Sequence, residues 1–250
     1  MMARELYILW SRQMKRYVRS KSRILEALGQ PILYLLALGY GLGSVFKRAG
    51  GGNYIEFLVP GIIVQTILFS SVFWGIQIIW DKQFGFLKET LVAPVSRLTI
   101  MLGGVLGGAT IAFIQGLLVL ISAGILGFRP YSWALLPVAL LVMAVLAIAM
   151  ACLGSGIASM VNDFQGFQAI NNFVVFPLFF LSGALYPLVG IPSLLALVSL
   201  VNPLSYAVDG LRAVLINQSH FGIGVDLAVL AVLTVGLTIF GVFTFSRIEA

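Results

Sequence analysis

Long apolar stretches separated by short polar gaps run through most of this chain. A helix needs about 20 apolar residues to cross the hydrocarbon core of a bilayer. Six stretches meet that length: 24–46, 55–80, 101–126, 133–160, 167–188 and 225–246. The first is the least hydrophobic, with Glu26, Gln30 and Pro31 in its opening turns. Glu26 near a helix start reads as a dipole partner at the headgroup level. The third and fourth stretches carry Gly103, Gly104, Gly107 and Gly108, and then Gly154, Ser155 and Gly156. Small residues let helices approach closely in lipid, so these positions predict packing.

The fifth stretch holds Asn171, Asn172 and Pro177 and runs into Ser182, Gly183 and Pro187, which weaken a continuous helix. After it, residues 189–212 are apolar but cut by Pro192 and the Asn202-Pro203 pair. That segment is too broken for one span and too apolar for an open loop. It predicts two short helices that enter the outer leaflet and return, their broken backbone satisfied by protein. Asp209 and Arg212, three residues apart, can pair on one helix face.

Two polar segments interrupt this pattern. In residues 4–22, Leu6, Trp10, Met14, Tyr17 and Val18 recur at three- and four-residue spacing, with Arg12, Lys15, Arg16 and Arg19 mostly elsewhere on the wheel. This predicts an amphipathic helix lying in the interface plane, basic face toward lipid phosphates; a charged tail that only sets topology is the plainer reading. The second segment, Asp81 to Arg97, holds Lys82, Lys88 and Glu89 between two spans. Gly85 to Val92 can form about two helical turns before Pro94 removes a backbone donor. A short charged helix there can pass a push from a soluble partner into the bilayer, or the segment is an ordinary solvated loop.

Composition narrows the class. Of 250 residues, 60% are hydrophobic and only 10% charged, with a mean hydropathy of +1.05. Soluble domains are nearer a quarter charged, so the solvent for most of this chain is lipid. The net charge of +6 does not point to nucleic acid, because Arg4, Arg12, Lys15, Arg16, Arg19, Lys21 and Arg23 all precede the first span. Lys82, Lys88 and Arg97 follow the second span and Arg247 follows the last, against Lys47, Arg48, Arg129 and Arg212 on the opposite side. The bias predicts cytoplasmic termini and a cytoplasmic 81–97 segment. Cys152 is the single cysteine, so no disulfide framework forms within the chain. No small-residue cleavage site follows the first apolar run, so the first span is expected to be kept.

Absent motifs exclude several activities. No Gly-Lys dipeptide occurs, so the chain lacks a GxxxxGK[ST] phosphate loop and is not expected to hydrolyse nucleotide. One histidine and one cysteine predict no metal centre, and no catalytic Ser/His/Asp set falls in a motif. Glu26, Glu56, Asp81, Asp163 and Asp226 all lie at span ends, which disfavours an ion-coupled carrier or a charged pore. The span interiors hold Phe69, Phe73, Trp74, Phe176, Phe179 and Phe180, with Gln65, Gln115 and Asn172 as isolated polar groups. These aromatics either pack the bundle or line a route for an amphipathic, lipid-like or sugar-bearing cargo.

ETLVAPVSRLTIMLGGVLGG, Glu89 to Gly108, resembles a signature of the type-2 permease family of ABC transporters. FPLFFLSGALYPLVGIPSLLALVSLVNPLSYAVDGLR, Phe176 to Arg212, resembles that family's second signature. The resemblance covers essentially the whole chain. It implies an all-α integral membrane protein, one permease domain over 1–250, multi-pass in a bacterial or archaeal plasma (inner) membrane. It also implies a homodimeric ATP-driven exporter with two copies of a separate ATPase subunit, which would hold the ATP and Mg2+; this chain would bind no cofactor and no nucleic acid. By the same resemblance the coupling helix maps to Phe84–Val92 within a loop at 81–100. Its contacts are Phe84, Phe86, Lys88, Glu89, Thr90, Pro94 and Arg97. Residues 1–23, with Trp10, Arg12, Lys15, Arg16 and Arg19, map to the interface helix. The broken stretch maps to an outer re-entrant gate containing Pro187, Pro192, Asn202, Pro203, Asp209 and Arg212. Phe69, Phe73, Trp74, Asn172, Phe176 and Phe180 are the candidate pathway residues. The expected cargo is a drug, lipid or glycolipid, with polysaccharide export as the alternative and a non-ABC membrane carrier or scaffold as the rival reading.

Overall fold

The computed structural model describes residues 2–48, 52–86, 95–188 and 190–248, the side chains of residues 2 and 21–28 excepted. All regular structure among them is helical: α1 (Met2–Arg19), α2 (Lys21–Arg48), α3 (Tyr54–Phe73), α4 (Ile76–Gln83), α5 (Arg97–Ile125), α6 (Leu136–Met160), α7 (Phe164–Ile170), α8 (Phe176–Phe180), α9 (Ser193–Val201), α10 (Pro203–Ile216) and α11 (Ile223–Ser246). Side-chain oxygens start several of them. Asn53 accepts from Ile55 N, Ser96 from Thr99 N, Asp163 from Gly166 N and Asn202 from Leu204 N. Each satisfies one of the donors that every helix start leaves open.

Among the described residues, five helical runs are long and apolar enough to cross a membrane, beginning at Gly29, Tyr54, Arg97, Trp133 and Ile223. Their burial differs sharply: 61% of the best window is buried in the run from Tyr54, but only 17% in that from Gly29 and 11% in that from Ile223. Thus α3 is the central helix, while α2 and α11 give most of their apolar surface to the surroundings. That surface includes Val232, Val235, Ile239 and Phe243. Leaving such residues outside is favourable only where the solvent is hydrocarbon, and the chain is an all-α integral membrane protein.

The second apolar stretch is not one straight helix. It breaks at Trp74-Gly75 between α3 and α4. There the backbones of α3 and α6 touch: a Cβ on Gly75 would overlap Gly154 O, and one on Gly154 would lie 2.5 Å from Val72 O. Glycine on both sides is what allows this approach. The fifth stretch is displaced from its expected bounds. Helix runs from Phe164 to Phe180, with a π segment at Asn171–Val175, and residues 181–186 form turns. Ser182 and Gly183, the latter at φ +74°, end the helix well before residue 188. Beyond it, α9 and α10 meet at 87° across Asn202, the bent helical pair that the Pro192 and Asn202-Pro203 interruptions predict.

Helix α1 departs from expectation in one respect. Arg12, Lys15, Arg16 and Arg19 are exposed, but the opposite face, Val18 apart, is largely covered by protein. It lies along α5: Leu9 fills the groove at Gly103 and Gln13 the groove at Gly107. Trp10 Nε1 donates to Thr110 Oγ1 at 3.1 Å, and Gln115 Nε2 donates to Tyr17 Oη at 3.3 Å. The α5 glycines therefore make room for α1 on one face and for the Trp74 indole, over Gly104 and Gly108, on the other. Among the pairwise helix contacts, that of α6 with α11 is the most extensive. Phe240 covers Gly156, and Cys152 Sγ lies 3.5 Å from Thr238 Oγ1.

Candidate functional site

Three places bring chemistry-bearing residues together: the junction around the 81–97 segment, a cleft in the bundle, and the turn region beside α10.

At the junction, Gly85 (φ +78°) ends α4, and Phe84 is its C-cap rather than the opening of the next helix. The expected helix from Phe84 is corrected accordingly; Phe86, beyond the glycine, is helical again. Phe84 and Phe86 are 72% and 58% exposed. Lys88, Glu89, Thr90 and Pro94 lie outside the described residues. Arg97 Nη1 donates to Ser246 O at 2.6 Å and Ile248 O at 2.9 Å, at the end of α11. Lys82 does the equivalent for α6. Its ammonium donates to Ala158 O, Ser159 O and Val161 O at 3.0, 2.9 and 3.0 Å, and Gln83 Nε2 adds a bond to Asn162 O at 3.3 Å. A helix C-terminus leaves carbonyls unpaired and carries partial negative charge, so a cation there is doubly favoured. Sequence reasoning named Lys82 as a topology charge and as one of the charges of the 81–97 segment, not as a cap of another helix. Its partners lie far along the chain, and no local pattern points to them.

The cleft measures about 740 Å³ and is walled by α1, α2, α3, α4, α5 and the 164–180 run. Of the candidate pathway residues, Phe69, Phe73, Trp74, Phe176 and Phe180 line it together. The Phe69 ring centroid lies 4.8 Å from that of Phe176 and 6.0 Å from that of Phe73. Asn172 is not part of this wall; it is exposed and accepts a 3.5 Å bond from Gln168 Nε2. Six elements each send one glutamine to the cleft: Gln13, Gln30, Gln65, Gln77, Gln115 and Gln168. An amide offers both donors and an acceptor, so these six side chains add neutral polarity between the aromatic planes. Among the described residues, Arg16 is the one basic residue on the lining. Single glutamines on separate helices carry no local signature, so the convergence is visible only in three dimensions.

Beside α10, Asp209 and Arg212 are both nearly buried but do not form the pair that their spacing allows. Asp209 accepts from His220 N at 2.8 Å, Phe221 N at 2.8 Å and Ser219 Oγ at 3.1 Å, folding the loop after α10 around itself. Asn217, at φ +54°, turns the chain into that loop. Arg212 Nη2 donates to Gly183 O and Ala184 O at 2.8 and 3.1 Å, with its guanidinium carbon 3.7 Å from the Phe57 ring centroid. Tyr54 Oη donates to Leu185 O at 2.9 Å and Asn202 Nδ2 to Leu178 O at 2.6 Å. The carbonyls freed where the fifth helix breaks are thus taken up by side chains, as a low-polarity environment demands. Pro203 begins α10, and Pro187 and Pro192 are exposed on the turns that precede and cap α9.

Comparison with known proteins supplies the family. The family model described as ABC-2 type transporter matches residues 4–216. The chain is 29% identical to "Putative transport permease ycf38" of Cyanophora paradoxa over 83% of this chain and 73% of that protein. It is 27% identical to "Nodulation protein J" of Rhizobium leguminosarum bv. viciae, covering 92% of this chain and 86% of that one. With "Inner membrane transport permease YadH" of Escherichia coli (strain K12) it shares 29% identity over 82% and 80% of the two chains. An all-helical apolar bundle with a match across 4–216 leaves one assignment: this chain belongs to the ABC-2 type transporter family.

Proposed function

We propose that this chain forms the translocation path of an ATP-driven exporter, working as a dimer with two copies of a separate ATPase subunit. Membership of the family makes the chain the membrane permease subunit of a transporter and implies an ATPase partner. Export, the homodimer, the copy number and cytoplasmic termini are the finer parts of the reading. Export, the dimer and the copy number rest on the resemblance to type-2 permeases, and the cytoplasmic termini on the basic-residue bias; the lack of a phosphate loop supports a separate ATPase. ATP and Mg2+ are assigned to the partner. The exposed Phe84–Phe86 corner, with Lys88 and Glu89 beyond it, is the contact that receives the partner's movement. Replacing Lys88 and Glu89 together leaves assembly intact and uncouples hydrolysis from export; undiminished export would refute that contact.

The observation that carries the cargo reading is the cleft. Phenylalanine walls suit an acyl chain or a fused ring, and glutamine amides from six elements suit a head rich in hydroxyls. Among drugs, lipids and glycolipids, the lining favours a glycolipid. The test is reconstitution of the permease with its ATPase in liposomes holding either an NBD-acyl glucosyl lipid or NBD-acyl phosphatidylcholine. ATP-dependent movement of the glucosyl lipid, lost in Gln65→Leu, is expected. Equal movement of both lipids, indifferent to Gln65→Leu, would overturn the cargo assignment.

A further inference from the structure

The chain between α4 and α5 is held at its two ends by cations that reach past their own helices. Lys82 places its ammonium on three carbonyls at the end of α6. Arg97 places Nη1 on two carbonyls at the end of α11. Both target helices end there, α6 at Met160 and α11 at Ser246. They are also the most extensively packed pair in the bundle, with glycine contacts at Gly156 against Phe240 and at Gly241 against Cys152 O. An ammonium has three donors, and all three of Lys82 are used on α6. Packed helices move as units rather than deforming.

We infer that Lys82 and Arg97 are positioning residues, two struts that tie the segment between them to the α6–α11 pair. Movement imposed on residues 83–96 is thereby delivered to α6 and α11 through charge-assisted bonds, in addition to α4 and α5, which the backbone joins directly. Without the struts the segment still docks, but α6 and α11 no longer follow it. This rests on the reading that an ATPase partner drives the segment.

The test uses the whole permease purified with its ATPase. Nitroxide labels are placed at Met160, exposed at the end of α6, and Val45, exposed on α2, and pulsed electron resonance measures their separation with and without ATP. The parent is expected to show an ATP-dependent change. Lys82→Met with Arg97→Gln is expected to lose that change and to move about fivefold less cargo per ATP, the lower end of coupling effects. Partner co-purification and ATP hydrolysis persist in Lys82→Met alone, whose residue lies outside the mapped partner contacts. Lys82→Arg with Arg97→Lys restores the change, because each still presents a cation to the carbonyls. Where the double variant fails to assemble, Lys82→Gln alone carries the measurement. An ATP-dependent change as large in the variant as in the parent overturns the strut assignment, and so does a hydrolysing parent in which the labels do not move. A parent that brings no ATPase refutes the exporter reading instead, so the two failures are distinct.

Discussion

Arg212→Met removes a charge while roughly keeping length and apolar bulk, so it isolates what the guanidinium does beside α10. The parent residue is 6% exposed and donates to Gly183 O and Ala184 O. Hydrogen bonds from charged donors are worth about 1.5–3 kcal/mol each, and leaving a buried carbonyl without a donor costs about 1–3 kcal/mol. The cation over Phe57 adds about 0.5–2 kcal/mol. Against this, the variant no longer buries a charge, which returns several kcal/mol in an order-of-magnitude sense. With the charge terms largely offsetting one another, the two orphaned carbonyls set the net loss at about 2–6 kcal/mol. For a chain of this length that lowers the melting temperature by about 4–24 °C. Tryptophan fluorescence during heating in mild detergent reads the shift, and limited proteolysis reads release of the 181–188 turns. A fall under about 2 °C with no new cleavage would refute the view that Arg212 holds the broken backbone.

Three further outcomes follow from the packing. Gly75→Ala drives a methyl into the Gly154 carbonyl, where neither backbone can yield; the overpacking costs about 1–3 kcal/mol, seen as a lower melting temperature than that of Gly29→Ala, an open position. Gly107→Leu displaces Gln13 and prises α1 from α5, so an accessible cysteine at Leu9 reacts faster with a polar maleimide than in the parent; an unchanged rate would contradict the groove. Asp209→Ala removes the acceptor for two backbone N–H groups and the Ser219 hydroxyl, and is expected to speed amide exchange at residues 219–221. Exchange as slow as in the parent would show that the loop is held by something else.

How much of this was legible in the sequence depends on the range of the interaction. The spans around 101–126, 133–160 and 225–246 are continuous in hydropathy and appear as α5, α6 and α11 within a few residues. Proline and asparagine punctuation likewise announced the bend between α9 and α10. The apolar face of α1 was legible as a face, but its spacing cannot tell lipid from a glycine groove. The break at Trp74-Gly75 depends on Gly154, and the ends of Lys82 and Arg97 depend on carbonyls contributed by other helices, so neither has a local signal. Asp209 and Arg212 have the right spacing to pair, yet backbone donors at 220 and 221 and carbonyls at 183 and 184 compete better. Hydrogen bonds made in place of a local ion pair are a tertiary outcome, and pattern reading has no access to them. The glutamine convergence on the cleft is the same kind of fact.

The central claim is that this permease is driven by a separate ATPase, and co-purification tests it most directly. The tagged chain is drawn from its native membrane in mild detergent and its companions are weighed and assayed. A nucleotide-binding subunit in one-to-one ratio, hydrolysing ATP in the complex, is the predicted result. A chain that emerges alone under those conditions, with no associated hydrolysis, would contradict the account.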